Sequence, residues 1–338
     1  MVYLKFFINN FKKTIFIIYL IILIFWNIFH IRIREDKLFK EKEKFIVMNE
    51  LNSIFTELYF YMRNKLKINP NNIENKTFVN YNNKIMICCI GKNENLYAKE
   101  FVEYYVSLGF DKIIILDNND LNGEKFEDVL HDFISKKLVE IKDLRGLKSI
   151  QIPSYNYCYQ KYMYLYDWIA FFDFDEYLFI KENSTIKKYL FNDMFKKCQL
   201  VLFNWYMYDD NNLLRRDNRN MIQRFTSIKD FSKKTKFIVR GRINNLKITS
   251  SHIAINCNYC NSKGETIYPK SYKTLNKEIN SIAYLKHFYT KTAEEYCNKI
   301  NKGDVQFRNI KFKKEWKKKK KLKYFFNTTK ILDKKCNY

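Results

Sequence analysis

The chain is poor in glycine and proline, with 7 glycines and 3 prolines among 338 residues. It also lacks a regular cysteine spacing: its eight cysteines lie at positions 88, 89, 158, 198, 257, 260, 297 and 336. That scatter excludes a small secreted domain built on a disulfide framework, and it leaves any cysteine pairing unreadable. A hydrophobic content of 47% is enough for a sizeable core, so we predict one large or two ordinary folded domains.

The chain is strongly basic, with 61 lysines and arginines against 36 acidic residues and a formal net charge of +25. Such a charge is typical of proteins that bind nucleic acid or anionic membranes. Here Lys, Asn, Ile, Phe and Tyr are all frequent, which indicates a general compositional bias rather than one basic face. With no recognisable nucleic-acid motif, we predict no nucleic-acid partner. The Lys-rich run 311–323 is an exception that indicates a solvated helix or an anionic-surface contact.

A membrane anchor is predicted near the N-terminus, over residues 1–34. Residues 14–31 are almost wholly apolar, and no charged residue lies between Lys13 and Arg32. That length is close to the roughly 20 residues needed to cross a bilayer. A cleaved signal peptide is the alternative, but the apolar run is long for one and no small-residue cleavage site follows it. The flanking positive charges nearly balance, so the orientation stays open.

The rest of the chain divides into three predicted segments. Residues 35–83 are predicted to form a helical stem and linker, residues 84–305 the catalytic domain, and residues 306–338 a Lys-rich tail. Within the catalytic domain, strands are predicted over 84–91, 112–116, 138–141 and 168–172, and helices over 101–108, 129–134 and 155–165. Strand–helix–strand units of this size predict right-handed parallel crossovers, and therefore an α/β fold with a mostly parallel sheet.

Three carboxylates follow the last of these strands: Asp173, Asp175 and Glu176. They cannot be buried unpaired without a large desolvation cost, so they are expected where the strand leaves the core. A continued extended conformation would place Asp173 and Asp175 on one side and turn Glu176 away, leaving it to matter mainly for the fold. Two adjacent carboxylates suit a hard cation such as Mg²⁺ or Mn²⁺. A solvated acidic strand exit is the alternative for a D-x-D taken alone.

Two other strands also end in polar clusters. Asn93 and Glu94 follow the first strand, and Asp117 and Asn118 follow the second. A parallel sheet brings such strand ends to one edge, where open α/β sheets bind ligands. The convergence of three clusters therefore favours a binding site over a solvated strand exit.

The order of these motifs resembles the family-2-like and family-92-like glycosyltransferases. The resemblance covers residues 84–305 and rests on segments 90–94, 101–105, 108–111, 117–119, 168–176, 224–225, 236–240, 252, 287–291 and 294–295. It implies a GT-A fold, in which a Rossmann-like domain binds a nucleotide sugar and the D-x-D holds Mn²⁺ or Mg²⁺ against the donor diphosphate. The expected donor is a UDP-sugar.

The resemblance also implies roles for single residues on the donor side. Asp175 would be the direct metal ligand, and Asp173 would contact the metal or the ribose. The nucleoside would be held by Asn93, Glu94 and Asp117.

Later residues are candidates for the rest of the donor site. His252 and His287 are alternative candidates to complete the metal shell, although a lone histidine is as often structural. Arg240 is a candidate contact to the donor diphosphate or to an anionic acceptor, as are Arg224 and Lys236.

On the acceptor side, residues 203–210 match the family, and Asp209 or Asp210 would act as the base that deprotonates the acceptor hydroxyl. A solvated turn is the alternative for these two residues. The chain departs from the family pattern at Lys286 and Gly241, where asparagine and proline are usual.

The expected activity is that of an inverting hexosyltransferase acting on a glycan, glycoprotein or glycolipid. The expected location is a single-pass membrane protein, either type II in the Golgi or endoplasmic reticulum, or facing the cytoplasm from a bacterial inner membrane. A catalytically silent, membrane-tethered protein that binds glycans or lipid surfaces on the same fold is the alternative.

Overall fold

The computed structural model describes residues 83–147, 149–181, 184–268 and 282–302. Its strands are β1 Ile85–Gly91, β2 Lys112–Asp117, β3 Val139–Asp143, β4 Trp168–Phe171, β5 Glu176–Ile180, β6 Leu200–Tyr208, β7 Ile228–Arg240, β8 Lys247–Ser250, β9 Ile253–Ile255, β10 Tyr259–Cys260, β11 Thr266–Ile267 and β12 Ala283–His287. Its α-helices are α1 Asn95–Leu108, α2 Glu127–Ser135, α3 Gln151–Tyr162, α4 Ile186–Leu190, α5 Met221–Arg224 and α6 Ala293–Lys302. A short 3₁₀ helix spans Asp193–Phe195.

One large sheet organises the described part of the chain, in the order β11-β10-β6-β7-β4-β1-β2-β3, with β12 pairing with both β5 and β6. Neighbours among β1, β2, β3 and β4 pair in parallel, and β12 is parallel to β6. Strand β7 runs antiparallel to both β4 and β6. As a result, β1, β2, β3, β4, β6 and β12 all end at the same edge of the sheet, which we call the carboxyl edge.

The predicted α/β class with a mostly parallel sheet is confirmed over its first half. The four predicted strands are present as β1 to β4, and the predicted helices between them are present as α1, α2 and α3. The first helix starts earlier than predicted, at Asn95, and is followed by Gly109, whose φ of 99° is the left-handed conformation typical of a helix C-cap. All seven residues of β1 are buried, as expected for a parallel strand covered on both faces.

Gly91 ends β1 and allows aromatic rings to pack under the carboxyl edge. A Cβ at this position would lie 2.6 Å from ring atoms of both Phe126 and Phe174. Phe174 stacks on Phe126 with ring centroids 5.3 Å apart and packs on Phe101 at 4.8 Å. The middle residue of the D-x-D is therefore a core residue, and it anchors the acidic residues on either side.

Two disulfides link elements that are distant in sequence. Cys88 in β1 is bonded to Cys158 in α3, and Cys198 is bonded to Cys260 in β10. Cys88 is fully buried within β1 as half of its disulfide. Because Cys260 is bonded to Cys198, the C-x₂-C at 257–260 does not supply two thiolates for a metal.

The predicted anchor over 1–34 and tail over 306–338 lie outside the described residues, as does almost all of the predicted stem over 35–83. Across the described ranges, no helix combines the length and the hydropathy that a membrane span requires. The segment boundaries assigned from the sequence stay predictions.

Candidate functional site

The acidic residues after β4 form a turn rather than an extended strand end. The backbone N–H of Glu176 donates to the carbonyl of Asp173 at 3.0 Å, and β5 begins at Glu176. The carboxylate of Glu176 folds back and accepts from the backbone N–H of Asp173, also at 3.0 Å. The prediction that Glu176 points away from the site was wrong, because burial of Phe174 in the core closes the turn and brings Glu176 inward.

A buried lysine from β7 compensates the charge of this turn. Lys236 Nζ lies 2.7 Å from Asp173 Oδ2 and 3.6 Å from Glu176 Oε2, and its side chain is 0% exposed. Burial acts to lower the pKa of Lys236, but the two carboxylates outweigh it and raise that pKa. For Glu176, burial is the larger effect and raises its pKa well above the usual range. Lys236 is therefore a permanent cation of the site.

Three side chains at the carboxyl edge can hold a metal ion together. Asp175, Glu176 and His287 each offer a ligand atom, and these atoms lie within 4.8 Å of one another. The register of β12 against β5 places His287 directly opposite Glu176. The backbone N–H of Phe288 donates to the carbonyl of Asp175 at 2.9 Å, which fixes the turn against β12.

The chemistry of these three groups fits a divalent cation. Glu176 Oε1 and His287 Nδ1 are buried and have no hydrogen-bond partner among the described residues, a costly arrangement that a cation on Glu176 would relieve. Burial lowers the pKa of His287, so its ring is neutral and keeps a lone pair. Burial is the largest single effect on the pKa of Asp175 and acts to raise it, but the charge of Lys299, the contact with His287 and the charge of Lys291 together outweigh burial and hold that pKa well below its usual range.

Asp173 lies outside this group of three. Its Oδ2 is taken by Lys236, and its Oδ1 accepts from the Tyr155 hydroxyl at 3.2 Å. The side chain is 34% exposed. Of the two roles that the resemblance implies for Asp173, a contact to the ribose agrees better with this position than direct metal binding does.

His252 is close to the metal group but separate from it. Its Nδ1 lies 2.7 Å from the carbonyl of Thr235, so Nδ1 carries the proton and Nε2 keeps a lone pair. Burial lowers the pKa of His252 to about 3. The Trp205 ring packs against both histidines, with centroids 5.2 Å from His252 and 4.2 Å from His287. His287 is therefore the histidine that joins the carboxylates.

The three residues predicted to hold the nucleoside all lie at the carboxyl edge, and Asn119 links two of them, Asn93 and Asp117. Asn119 Oδ1 accepts from the backbone N–H of Asn93 at 2.7 Å, and Asp117 Oδ1 accepts from that of Asn119 at 2.9 Å. Burial raises the pKa of Asp117, whose Oδ2 lies 3.9 Å from Arg145. Glu94 Oε2 lies 3.9 Å from Lys291 Nζ, so this side of the site contacts the segment after β12.

Helix α6 follows β12 and brings a second lysine to the acidic turn. Lys299 Nζ lies 2.6 Å from Asp175 Oδ2. The N-terminus of α6 is held by Glu295, which pairs with the buried Arg224 through contacts of 2.7 and 3.1 Å and accepts from Thr292. Sequence reasoning missed these contacts. The T-x-x-E capping box at Thr292 was a readable signal for the helix start, whereas nothing in a Lys-rich sequence distinguishes Lys299.

The structure places Arg240 away from the carboxyl edge and pairs Arg224 with a buried carboxylate. Arg240 pairs with Trp168, at the end of β4 opposite the carboxyl edge. Its guanidinium donates to the carbonyls of Cys198 and Phe195 and stacks on the Trp168 ring. The prediction that Arg240 binds the donor disagrees with this position, because β7 runs antiparallel and ends at the far edge. Arg224 is occupied by Glu295.

Asp209 and Asp210 follow β6 in a tight turn. Asp209 Oδ1 accepts from the backbone N–H of Asp210 at 2.9 Å and lies 3.3 Å from Lys229 Nζ. Asp210 accepts from the backbone N–H of Asn212, and Asn211 and Asn212 have φ angles of 49° and 57°. These contacts are those of a tight turn, the alternative predicted from the sequence for Asp209 and Asp210. Asp210 is nevertheless buried, which raises its pKa, and its Oδ2 has no hydrogen-bond partner within the described ranges.

Comparison with known proteins identifies one family. The sequence model of glycosyltransferase family 92 matches residues 83–337. A glycosyltransferase family 92 protein of rice (Oryza sativa subsp. japonica) is 26% identical over 106 residues, which are 31% of this chain and 18% of the rice protein. The chain thus matches only about a fifth of that relative's length.

Solved structures show weaker likenesses. TarS 1–349 of S. aureus in complex with UDP-GlcNAc is 10% identical, with 68% of this chain and 69% of that chain covered and a TM-score of 0.35. The Pyrobaculum calidifontis mannosyltransferase PcManGT in complex with GDP-Man and Mn²⁺ is 10% identical, with 47% and 46% covered and a TM-score of 0.26. TM-scores below 0.5 do not establish a common fold.

Proposed function

Because the chain belongs to glycosyltransferase family 92, we propose that it transfers a sugar, with the help of a divalent metal, from a nucleotide-sugar donor to a glycan, glycoprotein or glycolipid. The observation that supports the metal is the meeting of Asp175, Glu176 and His287 at the carboxyl edge. These residues would hold Mn²⁺ or Mg²⁺, which supplies a Lewis acid for the departing nucleoside diphosphate.

The chain's own residues would prepare this site for the donor. Lys236 offsets the repulsion between Asp173 and Glu176, so the acidic turn can hold its shape before a ligand binds. Asn119 ties together the ends of β1 and β2, where Asn93 and Asp117 would hold the nucleoside. We propose a UDP-sugar donor and a GT-A arrangement on the family resemblance.

For the acceptor we propose inversion by direct displacement, with Asp210 rather than Asp209 as the base. Asp209 is engaged by Lys229, whose Nζ lies 3.3 Å from its Oδ1. The pKa of Asp210 is raised by burial toward the range in which a carboxylate accepts a proton at neutral pH.

We further propose that the catalytic domain faces an oxidising compartment. Disulfides persist in the secretory pathway and are rare in the cytosol. The Cys88–Cys158 and Cys198–Cys260 bonds support a lumenal domain. With the N-terminal anchor predicted from the sequence, this favours a type II membrane protein over one that faces the cytoplasm.

A nucleotide-sugar screen tests the proposal. The full chain, purified in detergent, is assayed for hydrolysis or transfer of UDP- and GDP-sugars with and without Mn²⁺. We expect turnover of at least one donor that depends on metal and is lost in Asp175→Asn. Metal-independent turnover, or turnover unchanged by Asp175→Asn, would overturn the metal role. Glycan binding without metal-dependent nucleotide binding would instead support a silent binding protein.

A further inference from the structure

The segment after β12 carries two lysines that reach both halves of the site. Lys291 Nζ lies 3.9 Å from Glu94 Oε2 and 3.7 Å from the centre of the Tyr97 ring, and the residue is 4% exposed. Lys299 Nζ lies 2.6 Å from Asp175 Oδ2. Lysines are rarely buried unless paired, as Lys291 is here, and Lys299, whose side chain is 26% exposed, is held by its ion pair with Asp175.

These two lysines lie where the diphosphate of a bound nucleotide sugar would be expected. Glu94 belongs to the nucleoside side of the site at the ends of β1 and β2, and Asp175 belongs to the metal group at the end of β4. In a nucleotide sugar the diphosphate connects the nucleoside to the sugar. A donor bound to both sides must therefore place its phosphates near Lys291 and Lys299, which are good partners for phosphate oxygens.

Lys299 also occupies a ligand position of the metal group. Its Nζ holds Asp175 Oδ2, while Oδ1 of the same carboxylate lies 3.6 Å from His287. A divalent cation at Asp175 would be a few ångströms from this ammonium, and two cations at that distance repel each other strongly in a buried site. Lys299 and a metal ion therefore compete for the carboxylate of Asp175.

Lys299 has the freedom to change partners without unfolding its helix. The first turn of α6 is fixed by the contacts of Glu295 with Arg224 and Thr292. Lys299 lies one helical turn beyond Glu295, and its four-carbon stem can rotate while the backbone stays in place. Its Nζ also contacts the carbonyl and the ring of Tyr289, at 3.3 Å and 4.1 Å.

We propose that Lys299 is an exchangeable diphosphate ligand: it holds Asp175 while the site is empty and transfers to the donor diphosphate when a divalent cation binds Asp175, with Lys291 as the second cation. This inference rests on the proposed function and adds a residue that couples metal binding to donor binding. It predicts that the metal binds weakly alone and more tightly together with a nucleoside diphosphate.

The test measures two affinities of the full chain. Mn²⁺ binding without nucleotide is followed by the electron paramagnetic resonance of free Mn²⁺, and UDP and GDP binding at saturating Mn²⁺ by calorimetry. In Lys299→Met, which keeps the apolar stem, we expect Mn²⁺ alone to bind about tenfold more tightly because a competing charge is gone. Nucleoside diphosphate should bind about tenfold more weakly because a charged hydrogen bond is lost.

Two further variants keep the outcome interpretable. Lys188→Met removes an exposed lysine of α4, and we expect both affinities to match the wild type. Lys299→Arg keeps the charge and should restore nucleotide binding. A fall or a rise of both affinities in Lys299→Met, or no change in either, would overturn the exchange. A wild-type chain that binds neither Mn²⁺ nor nucleotide would instead overturn the proposed function itself.

Discussion

The buried Lys236 allows the sharpest test of how the acidic turn is stabilised. Its ammonium is the cation nearest to both Asp173 and Glu176, at 2.7 and 3.6 Å, and neither Lys236 nor Glu176 has any exposed surface. We expect Lys236→Met, which keeps the apolar stem and removes the charge, to leave Glu176 as a buried carboxylate without a counter-ion. Removing one partner of a buried ion pair typically costs about 3–5 kcal/mol of the free energy of unfolding.

The loss of unfolding free energy in Lys236→Met should depend on pH, and the direction of that dependence follows from proton binding by Glu176. The pKa of Glu176 is raised in the folded state by burial, so the folded chain binds more protons than the unfolded chain between the two pKa values. Stability then falls as pH rises through that window. Without Lys236 the folded pKa of Glu176 rises further. The destabilisation by Lys236→Met should therefore be smaller at pH 5 than at pH 8, because the lower pH favours the neutral form of Glu176.

The assay is urea unfolding followed by tryptophan fluorescence at both pH values. Lys233→Met, which removes an exposed lysine of the same strand, is the matched control and should change the free energy of unfolding little at either pH. Lys236→Met combined with Glu176→Gln should recover part of the loss, because it removes both charges. An equal loss at pH 5 and pH 8, or no recovery in the double variant, would refute the compensation of Glu176 by Lys236.

Three further predictions concern the stability of the fold and the acceptor side of the site. Arg224→Met should lower the free energy of unfolding by about 3–5 kcal/mol in a denaturant titration, because it leaves the buried carboxylate of Glu295, which caps α6, without its counter-ion. Arg219→Met, which changes an exposed arginine, should alter the free energy of unfolding little. Equal effects of the two variants would contradict the role of the Arg224–Glu295 pair in stability. Replacing Cys198 and Cys260 together by serine should cost about 2–4 kcal/mol, and reductant should then have a smaller effect on the melting temperature than in the wild type. Asp210→Asn should slow sugar transfer to an acceptor while the dissociation constant for nucleotide, measured by calorimetry, stays unchanged; a loss of nucleotide binding would place Asp210 on the donor side.

The local pattern of the sequence was sufficient for the first half of the sheet. Apolar runs followed by helical periodicity predicted β1 to β4 and the helices between them. The strands are parallel, so residues that follow them meet at one edge, and Asn93, Asp117 and the acidic turn are indeed found together there. These predictions depend on contacts between neighbouring strand–helix units, which a local pattern encodes.

The same reasoning failed where side chains from distant strands meet. An extended continuation of β4 was expected to turn Glu176 outward, yet the packing of Phe174 under Gly91 closes a turn and brings Glu176 in. Arg240 was expected at the donor, yet the antiparallel direction of β7 places it at the opposite edge and leaves Lys236 beside the acids. Strand direction is a property of the pairing, and no spacing within β7 reveals it.

By itself the sequence determined the family, the class of fold and the acidic motif, because ordered motifs and hydrophobic periodicity are properties of neighbouring residues. Tertiary structure alone decided which groups face one another. The register of β12 on β5 places His287, rather than His252, beside the carboxylates of Asp175 and Glu176. Helix α6 brings Lys299 into contact with Asp175, from which it is separated by more than a hundred residues of sequence. Charges at such separations meet only through folding, so the balance of lysines and carboxylates at this site is a product of the fold.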